Sequence, residues 1–95
     1  MIVLPKPLAF VWDQANKDKN WLKHQVDYKE AEEVFFDDHK RLYPDAVHSA
    51  QEERNILVGS TRIGRLLFIV FTIRQNVIRV ISARDLNYRE KRKQL

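Results

Sequence analysis

The 95-residue sequence contains no cysteine and only two glycines. The absence of cysteine excludes disulfides, zinc sites built on thiolates and cysteine nucleophiles. Because neither Gly59 nor Gly64 precedes a helix start, the chain also has no glycine-rich phosphate-binding loop. The longest apolar run covers residues 66–73 and is too short to cross a bilayer, and no secretion signal opens the chain. We therefore expect a cytoplasmic protein that does not associate with membranes.

The composition is that of a small folded domain. Apolar residues make up 44% and charged residues 32% of the chain, a balance typical of soluble globular proteins. A chain of this length holds one hydrophobic core, so we predict a single domain over residues 1–95. Pro5 and Pro7 indicate that residues 1–9 form an extended lead before the first element.

Positive charge is concentrated in the second half of the chain. Residues 1–53 carry seven basic and eleven acidic side chains, whereas residues 54–95 carry ten basic and two acidic ones, and eight of those ten are arginines. The guanidinium group offers a rigid fork of donors that matches phosphate. A basic half of this kind indicates a polyanionic partner, of which nucleic acid is the commonest. A solvated arginine-rich surface that only improves solubility explains the same composition equally well.

Hydrophobic periodicity predicts an α+β fold. Helices are predicted over residues 14–25 and from a capping box at Asp27 and Glu30 to about Asp38. Apolar or alternating segments predict strands over residues 8–12, 42–43, 54–58, 66–72 and 77–83, and residues 87–95 predict a short basic helix. Short connections between the later strands favour hairpins. We therefore expect two N-terminal helices packed on a small antiparallel sheet.

Simple alternation along the last predicted strand separates its two arginines. One face carries Val77, Arg79, Ile81 and Ala83, and the other carries Ile78, Val80, Ser82 and Arg84. Since burying an unpaired charge is costly, Arg79 is expected either to pair with the acidic second helix or to line a groove open to solvent. Arg54 and Arg65, at strand ends, could reach the same groove. For any single arginine, a surface salt bridge is the more ordinary explanation.

Three histidines are candidates for proton transfer, because histidine has an unperturbed pKa near neutrality. His24 follows Lys23 at the end of the first helix, where the helix dipole favours a cation without any catalytic role. His48 follows Asp45 by three residues, a spacing that could orient its ring but that is common by chance. The spacing of His24, His39 and His48 fits no metal-site pattern, so no metal is expected.

An ordered series of short motifs runs from about Phe10 to Lys91. Its members are Phe10-Val11-Trp12-Asp13, Asn16-Lys17, Asn20, Lys23-His24, Val26-Asp27-Tyr28, Ala31-Glu32-Glu33-Val34-Phe35, Pro44-Asp45, His48-Ser49, Glu53-Arg54, Gly64-Arg65-Leu66-Leu67 and Ile78-Arg79-Val80-Ile81-Ser82-Ala83-Arg84. The series resembles the BrnT family of bacterial toxins. One departure is Gln25, which stands where the family usually has glycine after the Lys-His pair; glycine favours a left-handed helix cap there.

The resemblance implies the toxin half of a type II toxin–antitoxin pair. It also implies a fold like that of the RelE group of ribonucleases, with RNA bound on the exposed side of the sheet. The expected partner is a ribbon-helix-helix antitoxin, which occupies the toxin and, together with it, binds operator DNA and represses the shared operon.

On this basis we expect an endoribonuclease that cleaves RNA without a metal or other cofactor. The ribose 2′-OH would attack the adjacent phosphate and leave a 2′,3′-cyclic phosphate and a 5′-OH. The expected catalytic residues are Arg54, Arg79 and Arg84 for charge stabilisation, and His24, then His48, for proton transfer. The expected RNA-binding residues are Lys17, Lys23, Arg62, Arg65 and Tyr88, with Tyr88 stacking on a base.

Two alternatives remain open from the sequence. The basic half could belong to a non-catalytic module that binds RNA, the ribosome or an acidic protein, because no catalytic constellation stands out from the residues alone. The chain could also be an inactive toxin that acts only as a co-repressor with the antitoxin. Growth arrest with RNA fragments would favour the toxin, whereas salt-sensitive binding of intact RNA would favour the module.

Overall fold

The computed structural model describes residues 2–47 and 52–94 and confirms the predicted α+β class. The elements follow in the order β1 (Phe10–Val11), α1 (Gln14–His24), α2 (Tyr28–Val34), β2 (Arg41–Pro44), β3 (Asn55–Ser60), β4 (Leu66–Arg74), β5 (Val77–Asp85) and α3 (Tyr88–Gln94). None of the helices in this described part is both long and apolar enough to cross a membrane.

The five strands form one sheet in the order β1-β5-β4-β3-β2. Strands β2 to β5 pair antiparallel with their neighbours, as predicted. The prediction of a purely antiparallel sheet is nevertheless wrong, because β1 pairs parallel to β5 through Phe10↔Ile78 and Val11↔Arg79. Strand β1 precedes both helices, so the chain crosses over before it returns to the sheet, and such a crossover permits parallel pairing.

Helix α2 packs on one face of the sheet, and helices α1 and α2 leave the other face uncovered. The core between α2 and the sheet contains Phe35 and Val34 of the α2 end together with Leu57, Ile69 and Phe71 of the central strands, all essentially inaccessible to solvent. Leu4 and Leu8, which precede β1, also pack against this core. One face of each central strand is therefore buried. The opposite face, which we call the open face, carries half-buried side chains such as Phe68 and Val70.

Both N-terminal helices begin at a side chain that caps the first turn. Asp13 accepts from the Ala15 N–H at the start of α1, and Asp27 and Glu30 form the predicted capping box of α2. Helix α2 ends at Val34, four residues before the predicted Asp38. The Asp37 carboxylate accepts from the backbone N–H groups of His39 and Ser60, and these bonds hold the chain in a turn instead of a further helical turn.

A β-bulge changes the faces of β5. The register shifts between Val70 and Phe71, so that Thr72 lies opposite Arg79 whereas Val70 lies opposite Ser82 and Phe68 opposite Arg84. The bulge adds one residue to β5 and reverses its alternation beyond that point. The prediction that Arg79 and Arg84 lie on opposite faces is therefore wrong, because both lie on the open face.

Candidate functional site

A groove of about 440 Å³ lies at one end of the open face of the sheet. It runs between the N-terminal end of α1, the connection that leads into β3, and the neighbouring ends of β4 and β5. We call it the arginine groove. Its lining residues are Val11, Asp13, Asn16, Glu52, Arg54, Thr72, Arg74, Arg79, Val80 and Ile81. The three guanidinium groups outnumber the two carboxylates, so the lining carries an excess of positive charge.

Arg79 occupies the strand side of the groove. Its position opposite Thr72 on the open face follows from the β4–β5 register. Helix α2, the acidic partner that the sequence offered for it, packs on the other face. Within the described part of the chain Arg79 makes no hydrogen bond or close ion pair, and its positive charge acts at a distance on Glu52. Of the two positions expected for Arg79, a pair with helix α2 or a groove, the structure shows the groove.

Arg74 and Glu52 form an ion pair across the groove. The Arg74 Nη2 group donates to Glu52 Oε1 at 2.9 Å, and its Nε group donates to the second carboxylate oxygen. This hydrogen bond lowers the pKa of Glu52 and raises that of Arg74. Glu52 is therefore ionised at neutral pH and is a weaker base than an ordinary glutamate.

Arg54 reaches the groove from the β2–β3 connection. Its carbonyl oxygen accepts from the Asp45 N–H at 2.8 Å, which ties the two ends of that connection together. His48, the second choice for proton transfer, lies in the same connection but outside the described residues, so its assignment remains a prediction from sequence.

A cluster of charged side chains around Arg65 lies at the opposite end of β5, and we call it the Arg65 hub. Arg65 donates through Nε and Nη2 to Asp85, at 2.7 and 3.1 Å, and through Nη1 to Glu30 at 3.1 Å. It also donates to the carbonyl oxygens of His24 and Gln25, at 3.1 and 2.9 Å. The hydrogen bond from Arg65 lowers the pKa of Asp85. This geometry favours a role in joining α1, α2 and the sheet over the predicted role in RNA binding.

Arg84 is also separate from the groove. Its guanidinium group pairs with Glu90 of α3 at 2.8 Å and lies 4.2 Å from the centre of the Phe68 ring. The hydrogen bond to Glu90 raises the Arg84 pKa. Because Arg84 follows Arg79 by five residues, the two lie roughly 17 Å apart along the strand. The three arginines predicted for charge stabilisation are therefore divided, with Arg54 and Arg79 in the groove and Arg84 outside it.

His24 lies at the hub end of the molecule. It is the last residue of α1 and stands close enough to Asp85 for its charge to favour the ionised carboxyl group. Asp85 is six residues along β5 from Arg79, a distance of roughly 20 Å in an extended strand. The structure therefore does not bring His24 together with Arg54 and Arg79.

The remaining predicted RNA-binding residues are spread over the surface. Lys17 lies over the Tyr28 ring at 4.1 Å, and Lys23 is exposed in the last turn of α1. Arg62 is exposed in the β3–β4 turn, where its backbone N–H donates to Glu33. Tyr88 is 77% exposed at the first position of α3. Their roles in RNA binding stay predictions.

Four residues line the groove although the sequence did not predict them as site residues: Arg74, Glu52, Asp13 and Asn16. A signal for Arg74 was present in the turn Gln75-Asn76, where both residues have positive φ. A two-residue turn of this kind fixes the hairpin register and places Arg74 opposite Val77, next to Arg79 on the same face. No comparable local pattern predicts that the N-terminal end of α1 lies at the groove, since that position depends on tertiary packing.

Comparison with known proteins identifies the family. The chain is similar over residues 12–90 to the family described as "Ribonuclease toxin, BrnT, of type II toxin-antitoxin system". No curated protein sequence matches it significantly. Among solved structures, its fold is similar to the Brucella abortus ribonuclease toxin BrnT with a TM-score of 0.64 and 18% sequence identity, over 84% of this chain and 97% of that one. Since the family match spans most of the sequence and the fold agrees, the chain belongs to the BrnT family of ribonuclease toxins from type II toxin–antitoxin systems.

Proposed function

We propose that the protein is a metal-independent endoribonuclease whose arginine groove binds and cleaves the phosphodiester backbone of RNA. The observation that carries the proposal is the convergence of Arg54, Arg74 and Arg79 on one groove. Guanidinium groups match the geometry of phosphate oxygens and keep their charge at every physiological pH. The membership in a ribonuclease toxin family supports the choice of RNA as the polyanion.

The proposed reaction transfers the phosphoryl group from the 5′ oxygen of the next nucleotide to the ribose 2′ oxygen. The ribose 2′ oxygen loses its proton and bonds to the adjacent phosphorus, and the bond from phosphorus to the 5′ oxygen of the next nucleotide breaks. That oxygen takes up a proton, so the products end in a 2′,3′-cyclic phosphate and a 5′-OH. Charge accumulates on the phosphate oxygens in the transition state, where preorganised positive groups contribute most.

Arg79 is the residue best placed to stabilise this charge, because its guanidinium group is not engaged by a close carboxylate of the described chain. Arg54 lines the same groove and is assigned the same role, whereas Arg74 holds Glu52 and shapes the wall. The lowered pKa of Glu52 makes it a poor general base. Proton transfer is therefore assigned to His48 in preference to His24, which lies at the far end of β5.

The proposal extends to the partners of the protein and to its cellular location. A ribbon-helix-helix antitoxin would neutralise the toxin and carry the complex to operator DNA, and both proteins would act in the cytoplasm. The open face of the sheet, which the helices leave uncovered, supports the proposed likeness to the RelE group of ribonucleases.

An RNA cleavage assay with defined substrate tests the proposal. Purified protein should cut the RNA in the presence of a chelator, and end analysis should find 2′,3′-cyclic phosphate and 5′-OH termini. Arg79→Ala should lower kcat by about 10²- to 10³-fold, as loss of one transition-state donor does elsewhere. Arg79→Lys should recover part of the rate, because it keeps the charge and loses the fork. Lys29→Ala, which removes an exposed charge elsewhere, is the control.

Three outcomes would contradict the proposal. Cleavage that the chelator abolishes would exclude the metal-free mechanism. Full activity of folded Arg79→Ala would remove the groove from the reaction. Salt-sensitive binding of RNA that stays intact would favour the non-catalytic module.

A further inference from the structure

The open face of the sheet carries a second cationic position beyond the groove. Because of the bulge in β5, Arg84 and Arg79 lie on the same face, with Ser82 and Val70 between them. Arg84 lies over the Phe68 ring at 4.2 Å, which combines a cation and an aromatic surface. Such pairs recur where proteins bind single-stranded nucleic acid, since bases stack on aromatic and guanidinium planes.

Helix α3 adds more positive charge at this end of the face. Arg89, Lys91 and Arg92 are all exposed. Tyr88, Arg89 and Arg92 follow the three- and four-residue spacing that places side chains on one side of a helix. Helix α3 therefore presents two guanidinium groups and one aromatic ring together to solvent.

Glu90 fixes the orientation of this basic helix. Its carboxylate accepts from the Asn87 N–H at 2.9 Å while the Glu90 N–H donates to the Asn87 side chain, which makes a capping box at the start of α3. The same carboxylate accepts from both terminal nitrogens of Arg84. One side of α3 is thereby anchored to the sheet, and the side with Tyr88, Arg89 and Arg92 faces away from that anchor.

We propose that Tyr88, Arg89 and Arg92 of α3 form a distal RNA-binding subsite that holds a single strand extending from the arginine groove along β5. The inference rests on the proposed function, because it takes the groove as the place of cleavage. Continuity supports it, since groove and helix flank the same open face roughly 17 Å apart, measured from Arg79 to Arg84. Single-stranded RNA is the partner that this chemistry fits, because phosphates need the arginines and a base can stack on Tyr88.

The subsite predicts that affinity depends on RNA length. Binding is measured by fluorescence anisotropy with two RNAs of about 4 and about 16 nucleotides, a range that single-strand sites span. Both RNAs carry one 2′-deoxy nucleotide at the mapped cleavage position, so that this position cannot be cleaved. If no cleavage position is found, both RNAs have a uniform sequence instead. The wild type should bind the longer RNA more tightly.

The double variant Arg89→Ala/Arg92→Ala should weaken binding of the longer RNA by about 10-fold and leave the shorter RNA unchanged, while the slope of log affinity against log salt falls by about 0.7 for each lost contact. Tyr88→Ala should weaken binding of the longer RNA only, and Tyr88→Phe should bind it as the wild type does, because the phenyl ring can still stack on a base. The control Lys6→Ala/Lys29→Ala removes the same charge from exposed positions outside α3.

The outcomes separate the subsite from the nuclease. Equal affinities of the wild type and a folded double variant for the longer RNA would overturn the subsite, even where RNA is cleaved. Equal weakening by the control pair would also overturn it, because the effect would be one of total charge. Length-dependent binding that α3 variants abolish, in a protein that cuts no RNA, would support the subsite and overturn the nuclease proposal alone.

Discussion

The two ends of β5 use arginine in opposite ways. At one end, Arg65 is 23% exposed and gives its donors to Asp85, Glu30 and two helix-end carbonyl groups. At the other end, Arg79 faces the groove without a close carboxylate in the described chain. The difference lies in what surrounds each guanidinium group, because the side chains themselves are identical. The contacts of Arg65 therefore stabilise the fold, and the proposed function assigns ligand binding to Arg79.

This contrast explains why charge composition overstated the size of the site. The second half of the sequence has eight arginines, and five of them, Arg54, Arg62, Arg65, Arg79 and Arg84, were predicted as site residues. In the fold, Arg65 pairs with Asp85 and Arg84 pairs with Glu90. Asp85 and Glu90 are the only two acidic residues of that half of the sequence. Most of the predicted clustering then reduces to Arg54 and Arg79, with Arg74 as an unpredicted third member.

The largest effect on stability is expected for Arg65→Ala. The change would remove the cation that Glu30 and Asp85 share and would leave the carbonyl groups of His24 and Gln25 without this donor. Fully buried pairs lose 3–5 kcal/mol on such truncation, and partial exposure of the hub reduces the expected loss to about 2–3 kcal/mol. Urea unfolding of the purified variant measures the free energy directly.

Arg79→Ala is the matched arginine control for this experiment. It should change the free energy of unfolding by less than about 0.5 kcal/mol, as is usual for residues without structural contacts. Arg65→Lys should recover only part of the loss, because lysine lacks the fork that reaches several acceptors at once. Equal destabilisation by the two alanine variants would remove the distinction between hub and groove.

Acid should weaken the hub through Asp85. Its pKa is lowered below the ordinary value of 3.8, chiefly by the hydrogen bond from Arg65. A carboxyl group whose folded pKa is lowered contributes stability that is fully present above its unfolded pKa and is lost as the pH falls through the folded value. The wild type should therefore lose hub stability below about pH 3.8, and Asp85→Asn should have a flatter profile there.

Urea unfolding between about pH 5 and pH 2 tests this expectation. Asp38→Asn, which removes an exposed carboxyl group outside the hub, is the control. The pair is partly exposed, so added salt should reduce the difference between wild type and Asp85→Asn. Identical pH profiles for wild type and Asp85→Asn would show that protonation of Asp85 does not affect the free energy of unfolding.

Local sequence signals predicted the elements better than they predicted the site. The capping box at Asp27 and Glu30 and the hairpin at Gln75-Asn76 are short-range patterns, and the structure contains both. The bulge in β5 and the Arg65 hub depend on contacts between distant parts of the chain. Alternation therefore placed Arg84 on the wrong face, and residue type alone grouped His24 with a groove at the other end of the strand.

The smallest effect concerns Gln25, whose φ of 53° places a non-glycine residue in the left-handed region at the end of α1. Gln25→Gly should relieve a conformation that costs an L-residue about 1–2 kcal/mol. Part of that gain is offset by glycine's greater freedom in the unfolded chain and by the loss of the side-chain bond to the Leu22 carbonyl at 3.1 Å. We expect a net stabilisation of about 0.5 kcal/mol, measured by urea unfolding.

Gln25→Ala separates the two contributions, because it removes the side-chain bond without relieving the backbone, and it should be slightly less stable than the wild type. Since the Gln25 carbonyl accepts from Arg65, any gain from glycine belongs to the hub end of the molecule. RNA cleavage by Gln25→Gly should then keep the wild-type kcat. A changed kcat with unchanged stability would instead connect the end of α1 to the chemistry of the groove, and the separation between the two ends of β5 would fail.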